Sequence, residues 1–132
     1  MTILGVSNSF TGPSLGIELQ GDHAYAYSGY VTTVGTGSAN TLAAQFTTGN
    51  YYFVGSISAQ NDTSDDSVGF LAMTLNGSSV IDSKLRTTTL GAVVHDFPIP
   101  IIIPPYTEVE LKVGINSGSN TWTTQIVGRI YR

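Results

Sequence analysis

The stretch DFPIPIIIPPYTEVELKV, Asp96 to Val113, decides how the rest of the chain is read. Its second half alternates strictly, with Val109, Leu111, Val113 and then Ile115 on one face and Glu108, Glu110 and Lys112 on the other. A period of two marks a strand with one face buried and one wet. The first half is different in kind. It holds four of the five prolines, Pro98, Pro100, Pro104 and Pro105, and is apolar on both faces. In an extended strand the N–H groups of residues i and i+2 point to the same side, so Pro98 and Pro100 delete two donors from one edge and leave the other free to pair. That is the chemistry of an edge strand, where proline blocks uncontrolled strand addition. Ile99, Ile101, Ile102 and Ile103 nevertheless load both faces. One face is expected to enter the domain's own core and the other to meet a partner. Pro98, Ile99, Pro100, Ile101, Ile102 and Ile103 are therefore the expected oligomer interface, with a wholly intramolecular edge strand under a loop as the competing reading.

The same period runs through the rest of the chain. In GNYYFVGSISAQ (49–60), Tyr51, Phe53, Ile57 and Ala59 share one face, and Tyr52, Val54, Ser56, Ser58 and Gln60 share the other. Further strand patterns cover 16–20, 23–33, 40–47, 68–76, 79–85, 90–97 and 121–132. No window supports an amphipathic helix. Between the runs lie turn residues: Asn76-Gly77 predicts a hairpin, because both central residues of a type I′ turn need positive φ. Small polar residues at 47–50, 61–67 and 116–120 predict loops. Eight or nine short strands at near-regular spacing give the expected fold: all-β, a single-domain antiparallel β-sandwich of the jelly-roll type. Residues 21–132 form that domain, and residues 1–20, Gly- and Ser-rich and weakly patterned, are expected to be a flexible N-terminal arm.

Length and composition narrow the function classes. A chain of 132 residues buries about two-thirds of its unfolded surface and can hold a core without staples. It has no Cys, which excludes disulfides, thiolate metal sites and a Cys nucleophile. Charged residues make up only 11% of the chain, against roughly 25% in ordinary globular domains. Five Lys and Arg in a chain of net charge −4 leave no basic footprint for a phosphate backbone, so no nucleic-acid partner is expected. No signal peptide is read at the N-terminus, and no apolar run is long enough to predict a membrane span. A surface poor in charge suits packing among copies of the same chain.

The chemical constellations are sparse. Gly12 to Gly16, GPSLG, has the letters of a nucleophile elbow at Ser14 but lacks the strand, turn and helix that motif needs. Asp22-His23 and His95-Asp96 are adjacent pairs, and neighbours on a strand point to opposite faces, so neither reads as a dyad. Asp62, Asp65 and Asp66 could offer oxygens to a hard cation but lack a known ligand spacing, and read as a solvated hairpin tip. GTGS (35–38) reads as a loop. No catalytic, metal or cofactor residue is assigned. Tyr25, Tyr27 and Trp122 are the candidate glycan contacts, since aromatic rings present apolar area with a polar tip.

Four segments carry a resemblance: GDHAYAYSG (21–29), FTTGNYYFVG (46–55), IIIPPYTEVE (101–110) and VGRIY (127–131). Together they resemble a group of small structural proteins of tailed bacteriophages, many of them marine. The order of an aromatic strand, an LNG hairpin, EVELKV and a terminal GRIY strand is more loosely similar to the trimeric jelly rolls of the tumour necrosis factor and complement type. The first resemblance implies a virion component made in the host cytoplasm. It would be a capsid decoration protein that binds and stabilises the shell, or else a tail or fibre-tip module binding host carbohydrate. The second implies a homotrimer. The implied partners are other copies of the chain, the major capsid protein or another virion protein, and, in the alternative, carbohydrate. A small glycan-active enzyme is a further alternative, disfavoured because Glu108 and Glu110 fall on one outward face rather than across a cleft.

Overall fold

The computed structural model describes residues 11–35, 37–62, 68–86, 94–95 and 98–132. Among these, eleven strands form: β1 (Glu18–Gln20), β2 (His23–Tyr27), β3 (Val31–Val34), β4 (Thr41–Thr47), β5 (Tyr52–Asp62), β6 (Val68–Leu75), β7 (Ser78–Arg86), β8 (Val94–His95), β9 (Ile99–Ile103), β10 (Glu108–Ile115) and β11 (Ser119–Tyr131). They build two antiparallel sheets packed as a β-sandwich. One runs β1-β2-β11-β5-β8, with β3 also pairing β11 and β9 also pairing β5; the other runs β4-β10-β6-β7. From β3 onward the chain passes repeatedly between the sheets, so the last strand ends in the middle of one and β10 in the middle of the other.

The alternation read from sequence sets the core. Phe53, Ile57, Trp122 and Ile126 from the first sheet meet Leu71, Met73, Val109, Leu111 and Val113 from the second, each fully buried. Ala43 and Ala44 are both buried despite being adjacent, because the register against β10 slips there. Leu111 faces Ala44 and Lys112 faces Leu42, leaving Ala43 as the extra residue of a bulge. At the Asn76-Gly77 hairpin φ is +51° and +81°, the two positive angles a type I′ turn requires. The Asn76 side-chain oxygen also accepts the Glu108 N–H at 2.9 Å, tying the hairpin to the start of β10.

Two glycines of the central strands have a packing reason. Gly55 and Gly128 are cross-strand partners on the inner face. A Cβ on Gly55 would lie 2.1 Å from the Val127 carbonyl oxygen, and one on Gly128 would lie 2.3 Å from that of Val54. The end of the Phe53 ring would be 2.8 Å from either added carbon. The ring lies over the pair and fills the space that two side chains would have taken.

Two expectations change. The single strand over 23–33 is two, broken at Ser28 to Tyr30, where the buried Ser28 hydroxyl accepts bonds from the N–H and Oγ1 of Thr124. Residues 12–20, expected within a flexible arm, are joined to the sandwich. Residues 1–10 lie outside the described residues, but from Gly12 onward the chain is stitched in. Ser14 N–H bonds the Ala43 carbonyl, Gln45 N–H bonds that of Ser14, and Gly29 N–H bonds that of Gly12. The edge of β4 needs a partner for its backbone, and this segment supplies it before β1 pairs with β2. Of the run at 90–97 only residues 94–95 lie within the described part.

Candidate interaction face

The proline-rich strand β9 pairs with β5, placing Ile99 opposite Ile57, Pro100 opposite Ser56, Ile101 opposite Gly55, Ile102 opposite Val54 and Ile103 opposite Phe53. This register assigns every isoleucine a face. Ile103 is fully buried, and Ile99 and Ile101 pack partly buried against the same core. Pro98, Pro100 and Ile102 are exposed. Pro100 has no N–H to give, and it occupies a position where none is owed to β5. Of the six expected interface residues, Ile103 thus belongs wholly to the chain's own core, and those turned outward are Pro98, Pro100 and Ile102.

The outward residues do not stand alone. Val54 neighbours both Ile102 and Arg129, Tyr52 faces Tyr131, and Ser56 lies between Pro100 and Val127. Ile102 is 61% exposed, Tyr131 54%, Tyr52 51% and Val54 39%. They form one apolar strip across β9, β5 and β11, with a shallow recess lined by Val54, Gly55, Pro100, Ile101 and Ile102. The strip's aromatic members were not among the expected interface residues, because their neighbourhood with Ile102 depends on a strand pairing 50 residues apart in sequence.

Farther across the same sheet, Tyr25 and Tyr27 point the same way, as alternation predicts, with ring centroids 4.9 Å apart and planes tilted by 34°. Glu18 lies opposite Tyr25, and Gln125 opposite Tyr27. Trp122 is corrected: it is fully buried opposite Asn61, facing the other sheet, and offers no surface to a sugar. Its nearness to a polar loop in sequence suggested exposure, but its strand parity turns it inward.

The remaining constellations resolve simply. Asp22 sits in the tight turn after Gly21, whose φ is +64°, rather than on the strand. Its carboxylate bends back to lie 3.6 Å from His23 Nε2 and 3.6 Å from Arg129 Nη1. All three side chains are more than half exposed, so these are surface pairs of small energetic weight. The Ser14 hydroxyl donates to the Gly16 carbonyl at 2.9 Å, a local turn bond rather than an activated nucleophile. Asp65, Asp66 and Asp96 lie outside the described residues. Among the described residues no three or more His, Asp or Glu gather into a group that could hold a metal ion.

No family profile matches the sequence, and no curated protein matches it. Among solved structures, a β-glucosidase from Paenibacillus barengoltzii is similar at 12% identity and a TM-score of 0.43. The likeness covers 93% of this chain and 12% of that one, so the chain spans about an eighth of the enzyme's length. A likeness at that level carries no argument about activity.

Proposed function

We propose that the chain is a virion structural protein of a tailed bacteriophage: a jelly roll that acts as a homotrimer and binds the capsid shell as a decoration, or cement, protein. The observation that carries this reading is the strip of Tyr52, Val54, Ile102 and Tyr131, apolar, exposed and bordered by an edge whose prolines forbid strand addition. Such a face suits side-by-side packing of sandwiches rather than growth of a sheet. The passage of successive strands from one sheet to the other supports the jelly-roll topology. The four phage-like segments support the virion assignment, and two of them contain the Gly55 and Gly128 pair on which the central strands close. No chemistry is required of a decoration protein. A ligand that binds only the assembled lattice stabilises it by RT ln(1 + [L]/Kd).

The Tyr25 and Tyr27 pair, flanked by Glu18 and Gln125, favours a second reading, a fibre-tip module that stacks a sugar ring. Light scattering during gel filtration of wild type and Ile102→Asp tests the first. A trimer that becomes a folded monomer in the variant is expected; a monomeric wild type overturns it. Ile103→Asp is the contrast, since a charge at a fully buried site should unfold the chain rather than dissociate it. A saturable wild-type signal on a sugar array, lost in Tyr27→Ala, would favour the second.

A further inference from the structure

The turn between β9 and β10 is built around an unfavourable choice of residue. Pro105 and Tyr106 are its central pair, and Tyr106 has φ +53°. Proline followed by positive φ is the pattern of a type II turn, whose third position is normally Gly or Asn because a Cβ is strained there. Tyrosine is a bulky residue for that region, and its side chain recovers little from the fold: it is 68% exposed. The turn is nonetheless held from several sides. The Thr48 hydroxyl sits between its ends, donating to the Pro104 carbonyl at 2.7 Å and accepting the Thr107 N–H at 2.9 Å. Thr48 N–H bonds the Thr107 carbonyl, and Tyr106 N–H bonds the Gly49 carbonyl, both at 3.0 Å. Thr48 and Thr107 are buried. Strain kept in place by an over-determined surrounding points to a use for the strained residue.

We infer that Tyr106 is a preformed anchor that inserts into an uncharged socket on another protein, and, resting on the decoration reading above, that this protein is the capsid subunit. An exposed tyrosine on a rigid turn loses little conformational freedom on binding, and tyrosine is enriched among the residues that dominate interface energies. A ring at the tip of a turn is a knob, whereas sites for small ligands and sugars are concave. Pro104 to Thr107 and Thr48 to Asn50 carry no charge, which sets the character of the socket. The turn follows β9 directly, two residues beyond Ile102, and its Gly49 partner lies three residues before Tyr52, so the knob continues the chain from one end of the apolar strip.

The test is cosedimentation of the full-length protein with shells of the encoding phage stripped of it, comparing wild type with Tyr106→Gly, Tyr106→Phe and Ile102→Asp. Glycine suits the positive φ, so Tyr106→Gly should melt at or above the wild-type temperature while its affinity for shells falls at least tenfold. Tyr106→Phe should keep most of the binding. If wild type does not bind shells, the decoration reading fails and takes this inference with it. If wild type binds and Tyr106→Gly binds equally well, the anchor alone is overturned. Binding to a glycan array that depends on Tyr106, with none to shells, would overturn the protein partner.

Discussion

Replacing Thr48 by valine should remove one hydroxyl and almost no volume, isolating the atom that bridges the ends of the Pro104 to Thr107 turn. In the wild type that oxygen donates at 2.7 Å to the Pro104 carbonyl and accepts at 2.9 Å from the Thr107 N–H. Pro104 is exposed and its carbonyl can turn to water, but Thr107 is only 4% exposed. Its N–H is then left buried without an acceptor, which costs about 1–3 kcal/mol. The central expectation is a loss of about 2 kcal/mol. A melting point lower by roughly 8 °C follows for a chain of this size. Thr48→Ser retains the hydroxyl and should lie within about 1 kcal/mol of wild type, its lost methyl being the only debit. Urea unfolding followed by Trp122 fluorescence, at one fixed protein concentration, measures both, and the slope with denaturant should stay unchanged because the folded surface does. The reasoning is refuted if Thr48→Val unfolds within about 0.5 kcal/mol of wild type, or if serine is as damaging as valine.

Gly128→Ala forces a methyl to within 2.3 Å of the Val54 carbonyl and under the Phe53 ring; the two central strands must part, and a loss of about 3 kcal/mol or failure to fold is expected in the same assay. Asn76→Ala removes the acceptor of the Glu108 N–H and puts Cβ chemistry without a compensating side chain at φ +51°, so about 1–2 kcal/mol should be lost, with the β6 and β7 amides exchanging faster by hydrogen exchange. Asp22→Asn removes both surface pairs to His23 and Arg129, yet stability should move by less than about 1 kcal/mol, and any difference should fade at high salt.

The class of fold was legible because so many segments alternate with a period of two. Val109, Leu111 and Val113 are inside, as their spacing required, and so are Tyr51, Phe53, Ile57 and Ala59. The Asn-Gly turn was legible for a different reason: its backbone needs two positive φ angles, and few residues accept them. Trp122 was not legible in this way: its polar neighbours in the chain suggest exposure, whereas the parity of β11 turns it toward the opposite sheet. Asp22 lies one residue outside β2, in a turn, where strand alternation does not govern direction, so its surface pairs with His23 and Arg129 were not legible.

What the sequence alone determined is the alternation, the turns, the low content of charged residues, and the presence of an edge closed by proline. Each is a local property, set by side-chain type and by backbone geometry within a few residues. The phase of β9 is not of that kind. Ile99, Ile101, Ile102 and Ile103 are apolar on both parities, so the pattern carries no information about which of them turn inward. Only pairing with β5, which sets Ile101 against Gly55 and Ile103 against Phe53, made the choice. The positive φ of Tyr106 is likewise tertiary: a tyrosine after two prolines would by itself take the commoner turn, and the hydroxyl of Thr48, 59 residues from Thr107, together with the Gly49 carbonyl, holds it in the rarer one.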